Sequence, residues 1–169
     1  IIKKYSQDKF LGNAFWSVLG GGVGNGLLLI AGILIARLLG ADLYGEYGVV
    51  KTNMFYMAGF STFGLIFAST HLIAKFLIVN PSRVKNIIKL STEITFCFSA
   101  FIAILIFVTA NRIEILLNSP GISKSFRILS ILIVFKALSS TGNGILAGLR
   151  EFKLIAISNV ISGLSLFIL

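Results

Sequence analysis

The fold of this chain is decided by stretches such as FLGNAFWSVLGGGVGNGLLLIAGILIA, residues 10–36, in which none of the 27 residues is charged. A helix needs about 20 apolar residues to cross a hydrocarbon core of about 30 Å. Residues 47–77, 87–110 and 128–149 are long and apolar enough to do the same, and a fifth apolar stretch covers residues 154–169. The sequence therefore predicts an all-α polytopic membrane protein with about five transmembrane helices.

The composition agrees with lipid as the main solvent. The 169 residues are 56% hydrophobic, and the mean hydropathy is +0.96; a soluble domain of this size would need more polar surface. The first apolar stretch is longer than the 7–15 residues of a signal-peptide core, so we expect a retained helix. Because the sequence starts at Ile1 and stops within an apolar run, we expect residues 1–169 to be the N-terminal part of a longer protein.

The formal net charge of +9 is better explained by membrane topology than by nucleic-acid binding. The 15 Lys and Arg residues fall mostly in loops and do not form one basic stripe. With the N-terminus in the cytoplasm, nine of them lie inside: Lys3, Lys4, Lys9, Lys75, Arg83, Lys85, Lys89, Arg150 and Lys153. Four lie outside: Arg37, Arg112, Lys124 and Arg127. The excess of positive charge in cytoplasmic loops predicts this orientation.

The first stretch contains an unusual glycine run, residues 20–26. A phosphate-binding loop is excluded because no Gly-Lys-Ser/Thr follows the run. One interpretation is close helix packing, since Gly20 and Gly24, and likewise Gly22 and Gly26, lie four residues apart on shared faces. The other is a bend or break lining a cavity, where Asn25 would satisfy the freed backbone groups. The single cysteine, Cys97, is expected to be a small buried residue.

Three cations lie in or near the spans at the side that the charge pattern places outside. At about 1.5 Å per residue, Lys51 lies about 6–7 Å and Lys136 about 12–18 Å inside the outer face. With Arg37, at the end of the first span, they are expected to share one outward-side cavity. Lys136, Ser140 and Asn143 follow i, i+4, i+7 spacing and should point inward from one helix face. Alternatively, Arg37 and Lys51 extend to the lipid headgroups and do nothing else.

His71 and Glu93 lie on consecutive spans, each about 9 Å from the inner face. Because histidine is the side chain suited to proton transfer at physiological pH, such a pair indicates proton or cation coupling. The alternative is a purely structural role, in which the two side chains form a partly buried pair and satisfy each other's charge and hydrogen-bonding groups.

An enzyme is not expected. The chain has one His, one Cys and six acidic residues, and their scattered positions provide neither a metal site nor a Ser-His-Asp arrangement. A membrane-embedded glycan enzyme would also need a sizeable outer loop with clustered acidic or Arg/His groups. No cofactor is expected either.

Two segments, IARLLGADLYG at residues 35–45 and GILAGLREFK at residues 144–153, resemble motifs of the Wzx-type polysaccharide flippases. These belong to the multidrug/oligosaccharidyl-lipid/polysaccharide (MOP) exporter superfamily, and the family often has Pro where Ala41 stands. The resemblance implies a transporter of about twelve or more helices in two lobes, of which this chain is most of the first. Its relatives move polyprenyl-diphosphate-linked oligosaccharides from the cytoplasmic to the outer leaflet, by alternating access, for cell-surface polysaccharides such as O-antigen lipopolysaccharide.

The resemblance also implies a location in the bacterial inner membrane, with the lipid-linked oligosaccharide, membrane lipids and other polysaccharide assembly proteins as partners. An anionic diphosphate fits a cavity presenting Arg37, Lys51 and Lys136. Hydroxyl and amide groups for the sugar are expected from Ser61, Thr62, Ser139, Ser140, Thr141 and Asn143. Two alternatives stay open: a cation-coupled exporter of small drugs, whose cavity should present carboxylates, and a non-transporting membrane subunit of a glycan assembly complex.

Overall fold

The computed structural model describes the backbone of residues 2–62, 64–117 and 121–168, and the side chains of residues 15, 18, 21–62, 64–116, 121–162 and 164. Its elements are five helices: α1 (Ile2–Thr62), α2 (Leu65–Val79), α3 (Pro81–Leu117), α4 (Ile122–Gly148) and α5 (Phe152–Ile168). No strand occurs in these ranges. The all-α prediction is confirmed.

Three of the described helical segments are long and apolar enough to cross a membrane: Gly21–Thr62, Pro81–Leu116 and Ile122–Gly148. Two shorter apolar helices accompany them, Leu65–Val79 and Phe152–Ser162. Large apolar side chains are exposed along these helices, among them Leu38, Phe67 and Leu116. Exposure of this kind suits contact with lipid rather than water, and the chain is a multi-pass membrane protein.

α1 is two helices joined at one residue. Gly40 has φ 74° and ψ 178°, outside the helical region, and it separates a first leg, residues 2–39, from a second leg, residues 41–62. Leu28 and Lys51 would lie about 34 Å apart on a straight helix, yet both line one cavity. The legs therefore fold back on each other. The sequence predicted two antiparallel spans with a loop over residues 37–46, and this segment is helical except at Gly40.

The predicted second span, residues 47–77, is also divided. The second leg of α1 ends at Thr62 and α2 begins at Leu65, with Gly64 at φ 71° between them. Glycine adopts this left-handed conformation without steric cost. The buried hydroxyls of Ser61 and Thr62 donate to the carbonyls of Ala58 and Gly59 at 2.7 and 2.8 Å. A break at this depth is tolerated because such hydrogen bonds satisfy polar groups away from water.

The remaining connections are short. Pro81 occupies the first position of α3, where its missing N–H costs nothing. Before α4, the Glu114 carboxylate accepts hydrogen bonds from the N–H groups of Gly121 and Ser123 at 3.0 and 3.1 Å. After α4, Arg150 has φ 63°. The helices extend past the predicted spans because hydropathy marks the part of a helix in lipid rather than its ends.

The apolar core lies between α3, α4 and the second leg of α1. Its buried members come from the end of α3 and the first half of α4: Ile106, Ala110, Ile122, Phe126, Leu129 and Ile133. Val50, Met54 and Met57 of the second leg of α1 pack against them. α4 is the central helix, since it also contacts α2 and α5.

α2 and α4 approach each other through glycines. A Cβ atom placed on Gly144 would lie 2.7 Å from the carbonyl oxygen of Ile66, and one on Gly148 would lie 2.9 Å from that of Thr70. The Thr70 hydroxyl also donates to the Gly144 carbonyl at 2.7 Å. This contact, from here on the α2/α4 seam, is an example of the small-residue packing that brings membrane helices together.

α3 packs on α4 through hydroxyl groups. The Thr95 and Thr141 hydroxyls lie 2.9 Å apart and are both buried. Ser91 and Ser99, one turn to either side of Thr95, are buried as well. Cys97 lies on the opposite face of α3 and is exposed, so the expectation that it would be buried was wrong.

The glycine run packs at one position. A Cβ atom on Gly24 would lie 3.1 Å from Cβ of Asn159 in α5, whereas nothing lies within 4 Å of one on Gly21, Gly22 or Gly26. The packing interpretation is thus confirmed at Gly24, and the surroundings of Gly20 lie outside the described residues. α1 stays helical through residues 20–26, so the helix break expected by the alternative interpretation does not occur in that run.

Candidate functional site

The candidate site is an open groove between the two legs of α1. This α1 groove has a volume of about 520 Å³. Its lining consists of Leu28, Leu29, Gly32, Ile33, Ala36, Arg37, Tyr44 and Lys51. The groove exists because Gly40 folds the second leg back on the first and because Gly32 adds no side chain to fill the space between them.

The groove brings together two of the cations singled out in the sequence. Arg37 comes from the first leg and is exposed, and Lys51 comes from the second leg and is half-buried. Lys51 Nζ lies 5.4 Å from the centroid of the Tyr47 ring, and the Tyr44 and Tyr47 centroids are 6.1 Å apart. An aromatic face stabilises a cation by about 0.5–2 kcal/mol. The site thus holds two positive charges beside aromatic rings.

Lys136 is close to this site without lining it. Its Nζ lies 4.8 Å from the centroid of the Phe55 ring. Phe55 is one turn beyond Lys51 on the second leg, about 6 Å along the helix. Lys136, Ser140 and Asn143 are all half-buried on α4. Contact with an aromatic face offsets part of the cost of placing a lysine in apolar surroundings.

His71 and Glu93 are both exposed, on α2 and α3. In the part of the chain that the structure describes, the salt bridge of Glu93 is with Lys89, whose Nζ lies 3.7 Å from Oε1. Both side chains of that pair are largely exposed, and exposed pairs of this kind contribute little to stability. The structure shows no salt bridge between His71 and Glu93, and their role in ion coupling stays a prediction.

Several of the hydroxyls expected to line a polar chamber instead stabilise helices. Ser61, Thr62 and Thr141 are buried and donate to or share hydrogen bonds with neighbouring groups. Ser139 is exposed, and Ser140 is half-buried. Of the six residues expected to line the chamber, Ser139, Ser140 and Asn143 retain some exposure and so remain open to a ligand.

Sequence reasoning missed the aromatic residues beside the cations. Tyr44, Tyr47, Lys51 and Phe55 follow i, i+3, i+7, i+11 spacing, which places them on one face of the second leg. That periodicity was a usable signal, because an aromatic and cationic stripe inside an apolar stretch is unusual. It would have placed Phe55 one turn beyond Lys51 on the same helix face, at the membrane depth expected for Lys136.

Chemically, the α1 groove suits an anion that carries an apolar part. Its walls are aliphatic, its two charges are positive, and none of its lining residues is acidic. No group of three or more His, Cys, Asp or Glu residues able to share a metal ion occurs among the described residues.

Comparison with known proteins places the chain in a family. Neither a search of curated proteins nor a search of solved structures found a match. The family model described as polysaccharide biosynthesis protein matches residues 10–169, nearly the whole chain. The chain therefore belongs to the polysaccharide biosynthesis protein family, the family of the Wzx-type flippases of the MOP superfamily.

Proposed function

We propose that this chain is the N-terminal lobe of a flippase that moves a polyprenyl-diphosphate-linked oligosaccharide from the cytoplasmic to the outer leaflet by alternating access. It would act as a transporter rather than an enzyme, in the bacterial inner membrane. The observation that carries the proposal is the α1 groove, which Arg37 and Lys51 line from opposite legs. Membership of the polysaccharide biosynthesis family supports the substrate class.

The chemistry of the groove matches the linkage between lipid and sugar. A diphosphate is a dense anion, and charge-assisted hydrogen bonds to Arg and Lys are stronger than neutral ones. Such contacts also gain strength where water is scarce. Leu28, Leu29 and Ile33 offer apolar surface beside the cations, which suits the first units of an isoprenoid chain. Lys136 lies with Ser140 and Asn143 on one face of α4. It would bind the anion at a position about one helical turn beyond Lys51.

The orientation proposed for the chain places the α1 groove toward the outer face, with the N-terminus in the cytoplasm. A drug exporter for cationic compounds fits this groove less well, since its charges are positive and none of its lining residues is acidic. His71 and Glu93 are the proposed ion-coupling residues.

Complementation of a strain lacking its native flippase tests the proposal. In the full-length protein, Arg37→Gln combined with Lys51→Gln should reduce surface polysaccharide at least about tenfold, because two charge-assisted contacts are lost. Lys51→Arg should retain activity, and Lys124→Gln, at an exposed basic residue that does not line the groove, is the matched control. Wild-type activity in the double variant, at equal protein in the membrane, would refute the groove as the binding site.

Lys136 is tested separately in the same assay. Lys136→Arg should retain part of the activity, whereas Lys136→Ala and Lys136→Gln should lose it while the protein still reaches the membrane. Full activity in Lys136→Ala would leave Lys136 as a partner of the Phe55 ring only.

A further inference from the structure

A second groove lies on the other side of the core, between α3 and α4. This α3/α4 groove has a volume of about 390 Å³. Its lining is apolar except for one serine: Ala100, Ala103, Ile104, Phe107, Ser130, Ile131, Val134 and Phe135. The Ser130 hydroxyl donates to the Arg127 carbonyl at 2.6 Å, so it offers no free donor. The groove thus presents an almost purely hydrocarbon surface.

The groove faces away from α1. The neighbouring residues Ile106 and Ile133 turn into the core, where Val50 and Met54 of the second leg pack. The four largest groove residues, Ile104, Phe107, Ile131 and Phe135, instead have exposed side chains. The α3/α4 groove is therefore separate from the α1 groove and opens toward the surroundings of the described helices.

At one end of the groove, each wall is bounded by a polar residue that lies one helical turn beyond the apolar residues of that wall. On α3, Asn111 follows Phe107 by four residues, and on α4, Arg127 precedes Ile131 by four residues. Residues with this spacing lie on one helix face. Arg127 Nη2 donates to Asn111 Oδ1 at 3.2 Å, and the Arg127 Cζ atom lies 5.6 Å from the centroid of the Phe107 ring. A guanidinium is thus held at the mouth of the groove.

The charge around this mouth is positive. Arg112, Lys124 and Arg127 are all exposed at this end of the α3/α4 pair. The nearby carboxylate is that of Glu114, and both of its oxygens accept backbone N–H groups, from Gly121 and Ser123. An apolar slot that ends in a fixed, exposed cation is complementary to an amphiphile with an anionic head.

We propose that the α3/α4 groove binds one anionic phospholipid of the surrounding bilayer. One acyl chain would lie along Ile104, Phe107 and Phe135, and the phosphate would contact Arg127. The groove runs about 10 Å along α3 from Ala100 to Phe107, which accommodates the part of a chain nearest the headgroup. Basic pockets between membrane helices bind anionic headgroups in this way. The bound lipid would hold the α3 and α4 ends together beside the Gly121 turn.

Native mass spectrometry of the full-length protein, purified in detergent and delipidated, measures this binding directly. The probes are phosphatidylglycerol, phosphatidylcholine with the same acyl chains, diacylglycerol and glycerol 3-phosphate. We expect phosphatidylglycerol to bind about tenfold more tightly than phosphatidylcholine, and the two fragments more weakly than phosphatidylglycerol, because head and tail contacts act together. Arg127→Gln should lower phosphatidylglycerol affinity about tenfold and remove the preference over phosphatidylcholine.

Two further variants separate the tail contact from the head contact. Ala103→Trp would fill the groove from the α3 wall and should weaken both phospholipids equally; Ile131→Trp, at an exposed position in the α4 wall, replaces it if the first variant does not fold. Arg112→Gln removes the same charge from the neighbouring face of α3 and should change the affinity less than about twofold.

Three results would overturn the proposal. Equal losses in Arg127→Gln and Arg112→Gln would mean that the charge acts only through the general surface potential. Unchanged phospholipid binding in the groove-filling variant would place the acyl chain elsewhere. Tighter binding of a polyprenyl phosphate than of phosphatidylglycerol would make the groove a site for the transported lipid and not for a bilayer phospholipid.

Discussion

The α2/α4 seam and the α1 groove both contain glycines within helices, but the space around these glycines differs. A Cβ atom on Gly144 would meet a backbone oxygen at 2.7 Å, whereas one on Gly32, in the groove, would meet nothing within 4 Å. In the seam, glycine lets two backbones approach, and in the groove it keeps a space open. The number of glycines in a stretch therefore does not predict their structural role, because the role of each glycine depends on the helix that lies opposite it.

The same contrast separates the polar residues. In and beside the seam they are hydroxyls with partners inside the protein, such as Thr70 on the Gly144 carbonyl and Thr95 on Thr141. In the groove they are cations beside aromatic rings. We infer that the seam holds α2 and α4 together and that the α1 legs carry the surface available to the transported substrate.

The largest stability effect is expected for Gly144→Ala. The added methyl group must displace the Ile66 backbone, and overpacking of this kind costs about 1–3 kcal/mol. Gly32→Ala is the matched control: it meets no atom within 4 Å, and the better helix propensity of Ala should leave stability equal or up to about 1 kcal/mol higher. Thermal unfolding in detergent, followed by size-exclusion chromatography, compares the two variants. Equal melting temperatures would show that the seam is not a close contact.

A smaller effect than that of Gly144→Ala is expected for Gly24→Ala, where the opposing atoms belong to Asn159. Gly24→Ala should stay within about 1 kcal/mol of the wild type, since the tight 3.1 Å contact is offset by helix propensity. Gly24→Leu should separate α1 from α5 and lower the yield of folded protein. The yield of monodisperse protein after extraction is the measurement. Equal yields for Ala and Leu would place this face of α1 against lipid or an open cavity.

The Thr95–Thr141 hydrogen bond should contribute less than the Gly144 contact. Hydrogen bonds between membrane helices contribute about 0.6 kcal/mol on average, so Thr141→Val should lower the melting temperature only slightly. In the Thr95→Val/Thr141→Val double variant no hydroxyl is left without its partner, and stability should partly recover. A double variant less stable than either single one would indicate that the hydroxyls make further hydrogen bonds.

The smallest stability effect, within about 0.5 kcal/mol, is expected for His71→Gln and Glu93→Gln, because both residues are exposed. If they couple transport to protons, both variants should lose the dependence of transport on the pH gradient. Transport into vesicles at several imposed gradients tests this. An unchanged dependence in both variants would leave the two residues outside the coupling mechanism.

The candidate site was predictable in part. Arg37 and Lys51 stood out because charged residues within apolar stretches are costly, and the structure places both in one groove. Lys136 stood out for the same reason, but its position over Phe55 depends on how α4 packs against the second leg of α1. The Arg127–Asn111 hydrogen bond joins residues on different helices, and no local pattern indicates which helix faces meet.

The sequence by itself determined that this is a helical, multi-pass membrane protein, because hydropathy acts residue by residue and about 20 apolar residues suffice to form a span. It also determined its family, through motifs that are continuous in the chain. Only the tertiary structure decided that Gly40 and Gly64 interrupt helices and that Gly144 and Gly148, rather than the glycine run, form the closest contact. Those outcomes depend on which helices lie opposite one another, and a pairwise contact across the chain is not contained in any single apolar stretch.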